Sequence, residues 1–113
     1  MDDILQLAQK LGVAIAQSTQ GAGLRGAKKQ LDSQPDVKKL MDDFRRQSER
    51  IAVLEREKKP VEVEDKRKLQ ETNDQLVANE FFKKYMAAQV EYLDLMRKVD
   101  AALNKALAEI EAK

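Results

Sequence analysis

The stretch Asn79–Glu111, NEFFKKYMAAQVEYLDLMRKVDAALNKALAEIE, decides the fold. It contains no Gly or Pro, and Phe82, Tyr85, Met86, Gln89, Tyr92, Leu93, Met96, Val99, Leu103, Ala106 and Ile110 recur at helical spacing. The spacing predicts one unbroken helix. A second set, Phe81, Ala88, Leu95, Ala102 and Leu107, widens the apolar surface beyond a coiled-coil seam, so neighbours are expected on two sides. Such a helix is about 50 Å long at 1.5 Å per residue. A compact chain of this size is only about 34 Å across, from a radius of gyration of roughly 13 Å. Part of an apolar rod therefore overshoots its own domain, and covering it takes another chain.

Composition supports the same class. The chain has 113 residues, enough for a single domain with a modest core. Charged residues make up 36% and aromatics 4%, the profile of solvent-facing helices, and the expectation is all-α. Lys and Arg number 21 against 20 Asp and Glu, so no net field draws the chain to nucleic acid or to a membrane surface. Cys, His and Trp are absent, which removes disulfides, thiolate chemistry, Cys/His zinc sites and imidazole bases. The acidic start MDDILQLAQK does not suit a secretory signal, and the uncharged run Leu11–Leu24 is broken by Gln, Ser, Thr and Gly. A cytoplasmic protein with no membrane segment is the expectation.

In chain order, Asp2 or Asp3 is placed to cap a first helix over about 3–18, whose apolar face is Ile4, Leu7, Ala8, Leu11, Ile15 and Ser18. Gly12 inside it costs up to about 1 kcal/mol relative to Ala, a cost that makes sense if another helix backbone passes close; a merely tolerated glycine is the alternative. Gly21–Gly26, GAGLRG, spells G-x-G-x-x-G but follows a helix rather than a strand, so it is read as a cap and elbow, not as a dinucleotide site. A short helix over about 24–33 follows, with Ala27, Lys28 and Leu31. Ser33-Gln34-Pro35-Asp36 starts a third, over about 36–58, in which Val37, Leu40, Phe44, Gln47, Ile51 and Leu54 alternate at three and four residues. Gln47 is read as an ordinary, partly exposed glutamine, with register-setting as the alternative, and Asp42 is placed to pair with Arg46. Pro60 ends this helix, and Glu62, Glu64 and Asp65 are N-terminal dipole partners of a fourth, over about 63–77, rather than a metal site. Asn79 is placed to cap the fifth, over about 79–111.

No catalytic constellation emerges. Ser18, Thr19, Ser33, Ser48 and Thr72 lack a histidine to activate them. The basic pairs Lys28-Lys29, Lys38-Lys39, Arg45-Arg46, Lys58-Lys59, Lys83-Lys84 and Arg97-Lys98 alternate with acids, without aromatic stacking residues between them, so direct nucleic-acid binding is not expected. Met41, Met86 and Met96 read as core packing before they read as a docking surface.

The order Leu11-Gly12-x-x-Ile15-x-x-Ser18, Ala27-x-x-x-Leu31, Pro35-Asp36-Val37-x-x-Leu40-x-x-x-Phe44-x-x-Gln47 resembles the YlbF/YmcA (YheA-like) family of small bacterial helical proteins. Leu69 to Leu76, Asn79, Tyr85, Ala88 and the Leu93 to Val99 run are similar to that family's closing helices, so the likeness spans nearly the whole chain. It implies an all-helical protein that self-associates. For some members it implies regulation of competence, sporulation and biofilm formation through a complex that modulates RNase Y. Members of that complex are associated with iron–sulfur clusters through cysteines; this chain has none, so no cofactor is expected. Its glycine-rich segment stands where relatives carry a more continuous polar helix.

The expectation is therefore an all-α, antiparallel helical bundle with a long C-terminal helix, a single domain over 1–113 that forms a homodimer or larger assembly. The expected function is non-catalytic regulation or scaffolding through protein–protein contact. The contact residues are Phe44, Gln47, Ile51, Phe82, Tyr85, Tyr92, Met96 and Val99. An RNA-associated accessory factor is the alternative, and a purely structural homo-oligomer a second one.

Overall fold

The computed structural model describes residues 2–112, the side chain of Asp2 excepted, and no strand occurs among them. The fold is all-α. Its helices are α1 (Asp2–Gln17), α2 (Thr19–Asp32), α3 (Pro35–Arg56), α4 (Val63–Ala78) and α5 (Glu80–Glu111). Chain contacts divide into two units, Lys28–Lys84 and Met1–Ala27 with Tyr85–Lys113.

In the Lys28–Lys84 unit, α3 and α4 pack as an antiparallel hairpin. Pro35 occupies the first turn of α3, where its missing N–H has no partner to lose, and Gln34 is the N-cap residue without a side-chain bond. The Ser33 hydroxyl instead donates to the Gln30 carbonyl at 2.7 Å, closing the end of α2. At the far end α3 stops at Arg56, earlier than the proline requires, because a Schellman motif closes it. The Lys59 N–H bonds the Leu54 carbonyl at 2.8 Å and the Lys58 N–H bonds the Glu55 carbonyl at 3.1 Å. Lys58 takes the left-handed conformation this motif needs, at φ 58°. Arg50 then pairs with Asp65 at 3.1 Å across the hairpin, and the other Asp65 oxygen accepts the Glu62 N–H at 3.3 Å. This register brings Val37 to the level of Leu76. Leu31, Val37 and Leu76 are the buried apolar residues, joined by Thr72, whose hydroxyl is satisfied by the Lys68 carbonyl at 3.0 Å.

The expected pairing of Asp42 with Arg46 is corrected: Arg45 pairs with Asp42 at 3.5 Å and Arg46 with Asp43, each at i,i+3. Asn79 caps α5 as its position predicts, its Oδ1 accepting the N–H groups of Phe81 at 2.9 Å and Phe82 at 3.1 Å.

In the unit of Met1–Ala27 and Tyr85–Lys113, the expected elbow is misplaced. Gly21 to Gly26 lie inside α2, and the break between α1 and α2 is the single residue Ser18. Its hydroxyl donates to the Ile15 carbonyl and accepts the Gly21 N–H at 3.0 Å, closing one helix and capping the next. Gly21 serves close approach instead of turning: a Cβ there would overlap the Ile15 carbonyl oxygen. Of the two readings of Gly12, the merely tolerated glycine holds, since nothing approaches its Cβ position within 4 Å. The cap expected from Asp2 lies outside the described side chains, and Asp3 is already helical.

Candidate protein-interaction surface

Helix α5 runs without interruption through its 32 residues, and none of them is buried. Its tyrosine stripe, Tyr85, Tyr92, Met96 and Val99, is half-covered, and Tyr92 and Met96 join Gly12, Ile15, Ala16 and Leu24 in a shallow groove of about 430 Å³. Met96-Leu103-Ile110 continues that stripe at seven-residue steps, but from Asp100 onward every described residue is exposed. The same greasy face is covered up to Val99 and bare beyond it.

Helix α1 mirrors this pattern. Along its apolar line exposure falls from 76% at Ile4 through 65% at Leu7 to 37% at Leu11, and Ile15 is half-buried in the groove. Of residues 3–27 and 85–112, Gly21 alone is buried. So many large aliphatics left wet in one region make this unit the candidate surface for a partner.

The eight residues expected at the contact divide between the two units. Phe44, Gln47, Ile51 and Phe82 belong to Lys28–Lys84; Tyr85, Tyr92, Met96 and Val99 belong to the other unit. All are half-buried, so each already spends part of its surface on its own chain. Gln47 is more constrained than its expected reading: its Oε1 is sealed from solvent and accepts no hydrogen bond. The more exposed apolar residues are others, Ile4, Leu5, Leu7 and Val13 on α1 and Val90, Leu93, Leu103, Leu107 and Ile110 on α5. Leu5 and Val13, off the main stripe of α1, were the signal that one covered face could not account for that helix. Val90 was legible too, four residues after Met86 and three before Leu93.

Electrostatics on these helices are local. Lys98 pairs with Asp94 at 3.0 Å and Arg97 with the same carboxylate at 3.5 Å; Lys84 pairs with Glu80 and Lys59 with Glu57. On α4, Arg67 donates to Glu64 at 2.8 Å and also pairs with Glu71. The hydrogen bond from Arg67 holds the Glu64 carboxyl below its ordinary range, and Glu64 with Glu71 pushes the guanidinium further up. Five charged side chains, Asp43, Arg46, Arg50, Asp65 and Lys68, together with Gln47 surround a polar cleft of about 440 Å³ between α3 and α4 whose charges largely answer one another. No group of three or more acidic residues among the described ones is arranged to hold a metal.

The sequence model of the family described as "Control of competence regulator ComK, YlbF/YmcA" matches residues 4–108. The chain belongs to the YlbF/YmcA family. The resemblance carried by Leu11 to Ser18 and by Pro35 to Gln47 is thus confirmed across both units. Bacillus subtilis RicA, solved by X-ray crystallography in complex with RicF, is similar to this YlbF/YmcA member with a TM-score of 0.82, covering 94% of each chain at 22% identity. At that identity the likeness speaks for the fold. Comparison with curated proteins finds no sequence match. No helix of this YlbF/YmcA chain, among the described residues, is long and apolar enough to cross a membrane.

Proposed function

We propose that the chain is a non-catalytic regulatory or scaffolding protein of the YlbF/YmcA type, acting through helix-mediated contact with protein partners, itself included. The observation that carries this reading is the bare apolar surface of α1 and of α5 beyond Val99, in a unit whose one buried residue among 3–27 and 85–112 is Gly21. Completing the burial of one such side chain is worth about 1 kcal/mol or more, and several together reach the scale of the roughly 4–15 kcal/mol that association costs. Regulation of competence, sporulation and biofilm formation, with an RNase Y-type ribonuclease complex as the partner and the cytoplasm as the place, follows from family membership and is proposed on that ground. That RicA is found with RicF supports a partner-binding role for a chain of this fold.

The RNA-accessory reading gains little, because Arg45, Arg46, Arg50, Arg67 and Arg97 are each engaged by a neighbouring carboxylate. The test is affinity purification of the tagged chain from its native cells beside a Leu103→Asp/Leu107→Asp variant. Recovery of ribonuclease components or of another YlbF/YmcA protein by the wild type and its loss from the variant is the expected result. Equal recovery by both, or normal competence and biofilm formation after gene deletion, overturns the proposal.

A further inference from the structure

Met41, Met86 and Met96, read from the sequence as core packing, are divided by the fold. Met41 is half-buried on α3, in the Lys28–Lys84 unit. Met96 is half-buried too and sits where the covered and bare faces of α5 meet: it lines one shallow depression with Tyr92 and Ile15 and another with Val90 and Leu93. Met86 belongs to the bare face. It is 42% exposed and opens the run Met86, Val90, Leu93, whose steps of four and three keep three wet apolar side chains together.

Sulfur gives that face a reactivity its aliphatic neighbours lack. The thioether lone pair forms an S–O bond to one oxygen of hydrogen peroxide, the O–O bond breaks, and both protons leave with the other oxygen as water. Sulfur is oxidised by two electrons and the peroxide is reduced by two. The product is a polar sulfoxide on an unchanged backbone. A methionine sulfoxide reductase reverses the change, oxidising two thiols to a disulfide and releasing the oxygen as water. This chain has no cysteine to consume the peroxide first.

We propose that Met86 is a reversible oxidation site, modified by peroxide in the free chain, and that its sulfoxide weakens the contact this face makes with a second copy. This control rests on the self-contact within the proposed function, and Met86 to Leu93 lie on the same helix whose uncovered end carries that reading. A thioether enters an apolar contact without giving up strong hydrogen bonds, whereas a sulfoxide there loses its bonds to water. Contact and oxidation therefore oppose each other. An occupied face shields the sulfur, and an oxidised sulfur disfavours occupation.

In the experiment the chain, dilute and at high micromolar concentration, is treated with hydrogen peroxide, and each methionine is followed by peptide mass spectrometry, with circular dichroism confirming retained helicity. In the dilute chain Met86 is expected to oxidise several-fold faster than Met41; raising the concentration slows Met86 and leaves Met41 unchanged. Sedimentation equilibrium supplies the second readout. The sulfoxide form is expected to associate roughly tenfold more weakly, and methionine sulfoxide reductase to restore the association. Met86→Leu, which keeps the volume, is expected to stay associated through the same treatment. Equal rates at Met41 and Met86, a Met86 rate indifferent to concentration, or a Met86→Leu chain as sensitive to peroxide as the wild type overturns the oxidation site and leaves the self-contact standing. An untreated chain that stays monomeric at high micromolar concentration overturns the self-contact, and the control by Met86 with it.

Discussion

Gly21 of α2 lies against the carbonyl oxygen of Ile15 in α1, so closely that a β-carbon at Gly21 would overlap it. The glycine lets one residue, Ser18, separate two helices. Gly21→Ala is therefore expected to destabilise the chain by about 1–3 kcal/mol, since the overlapping atom is backbone and cannot rotate away. Gly23 and Gly26 have open space around the same position, and Ala at either is expected to stabilise by roughly 0.5–1 kcal/mol. Urea midpoints of the three variants decide the matter; equal effects at Gly21 and Gly23 would remove the close-approach argument.

Lys58 carries φ 58° in the Schellman motif that ends α3. An L-residue is disfavoured there and glycine is not. Lys58→Gly should stabilise the hairpin by about 1 kcal/mol, net of the entropy that glycine adds to the unfolded chain. A lower melting temperature than wild type would count against the assigned conformation.

Gln47 holds an acceptor that nothing satisfies. An unpaired buried polar group costs about 1–3 kcal/mol, and a methionine of similar length removes it while keeping the packing. Gln47→Met is expected to raise stability by about 1 kcal/mol when measured at low protein concentration. A loss of stability instead would mean that the amide is engaged in the folded chain.

On α4 the Glu64 carboxyl is held below its ordinary value first by the hydrogen bond from Arg67, and Arg67 is pushed up by the same contact. A carboxylate with a lowered folded value binds its proton more readily when unfolded, so its contribution is present above the ordinary carboxylate range and is lost as pH falls through the lowered value. Both groups are exposed, so the effect on α4 is small and screened by salt. Carbon-detected titration of Glu64 should show the low midpoint, and Arg67→Gln should return it toward the ordinary value of 4.5. An unchanged midpoint in that variant would discard Arg67 as the cause.

Those features that follow from backbone chemistry were legible in the sequence. Pro35 marked a helix start because its ring suits the first turn, and Asn79 marked a cap because its side chain reaches two free N–H groups. The uninterrupted α5 followed from a run without Gly or Pro. Glycine was the source of error in α2: the residue type signals turning and close approach alike, and only the neighbouring carbonyl of Ile15 tells which applies. Nothing about Lys58 advertises a left-handed backbone. At the surface, periodicity identified the greasy face of α5 but not its division. Tyr85, Tyr92, Met96 and Val99 were singled out as contacts, whereas α5 leaves more of Val90, Leu93 and Leu107 bare. How much of a stripe the chain covers itself depends on where α1 and α2 end, and spacing alone does not carry that information.

The graded exposure of α1 gives the chain a built-in reporter. Residues between Ile4 and Leu11 are held by their own helical bonds and little else, so their amide protons should trade with deuterium at rates set by local fraying, far faster than those around Val37 and Leu76. Whatever binds over that strip will slow the exchange there first, and the footprint of an unknown companion can be read from the N-terminal turns before the companion itself is isolated.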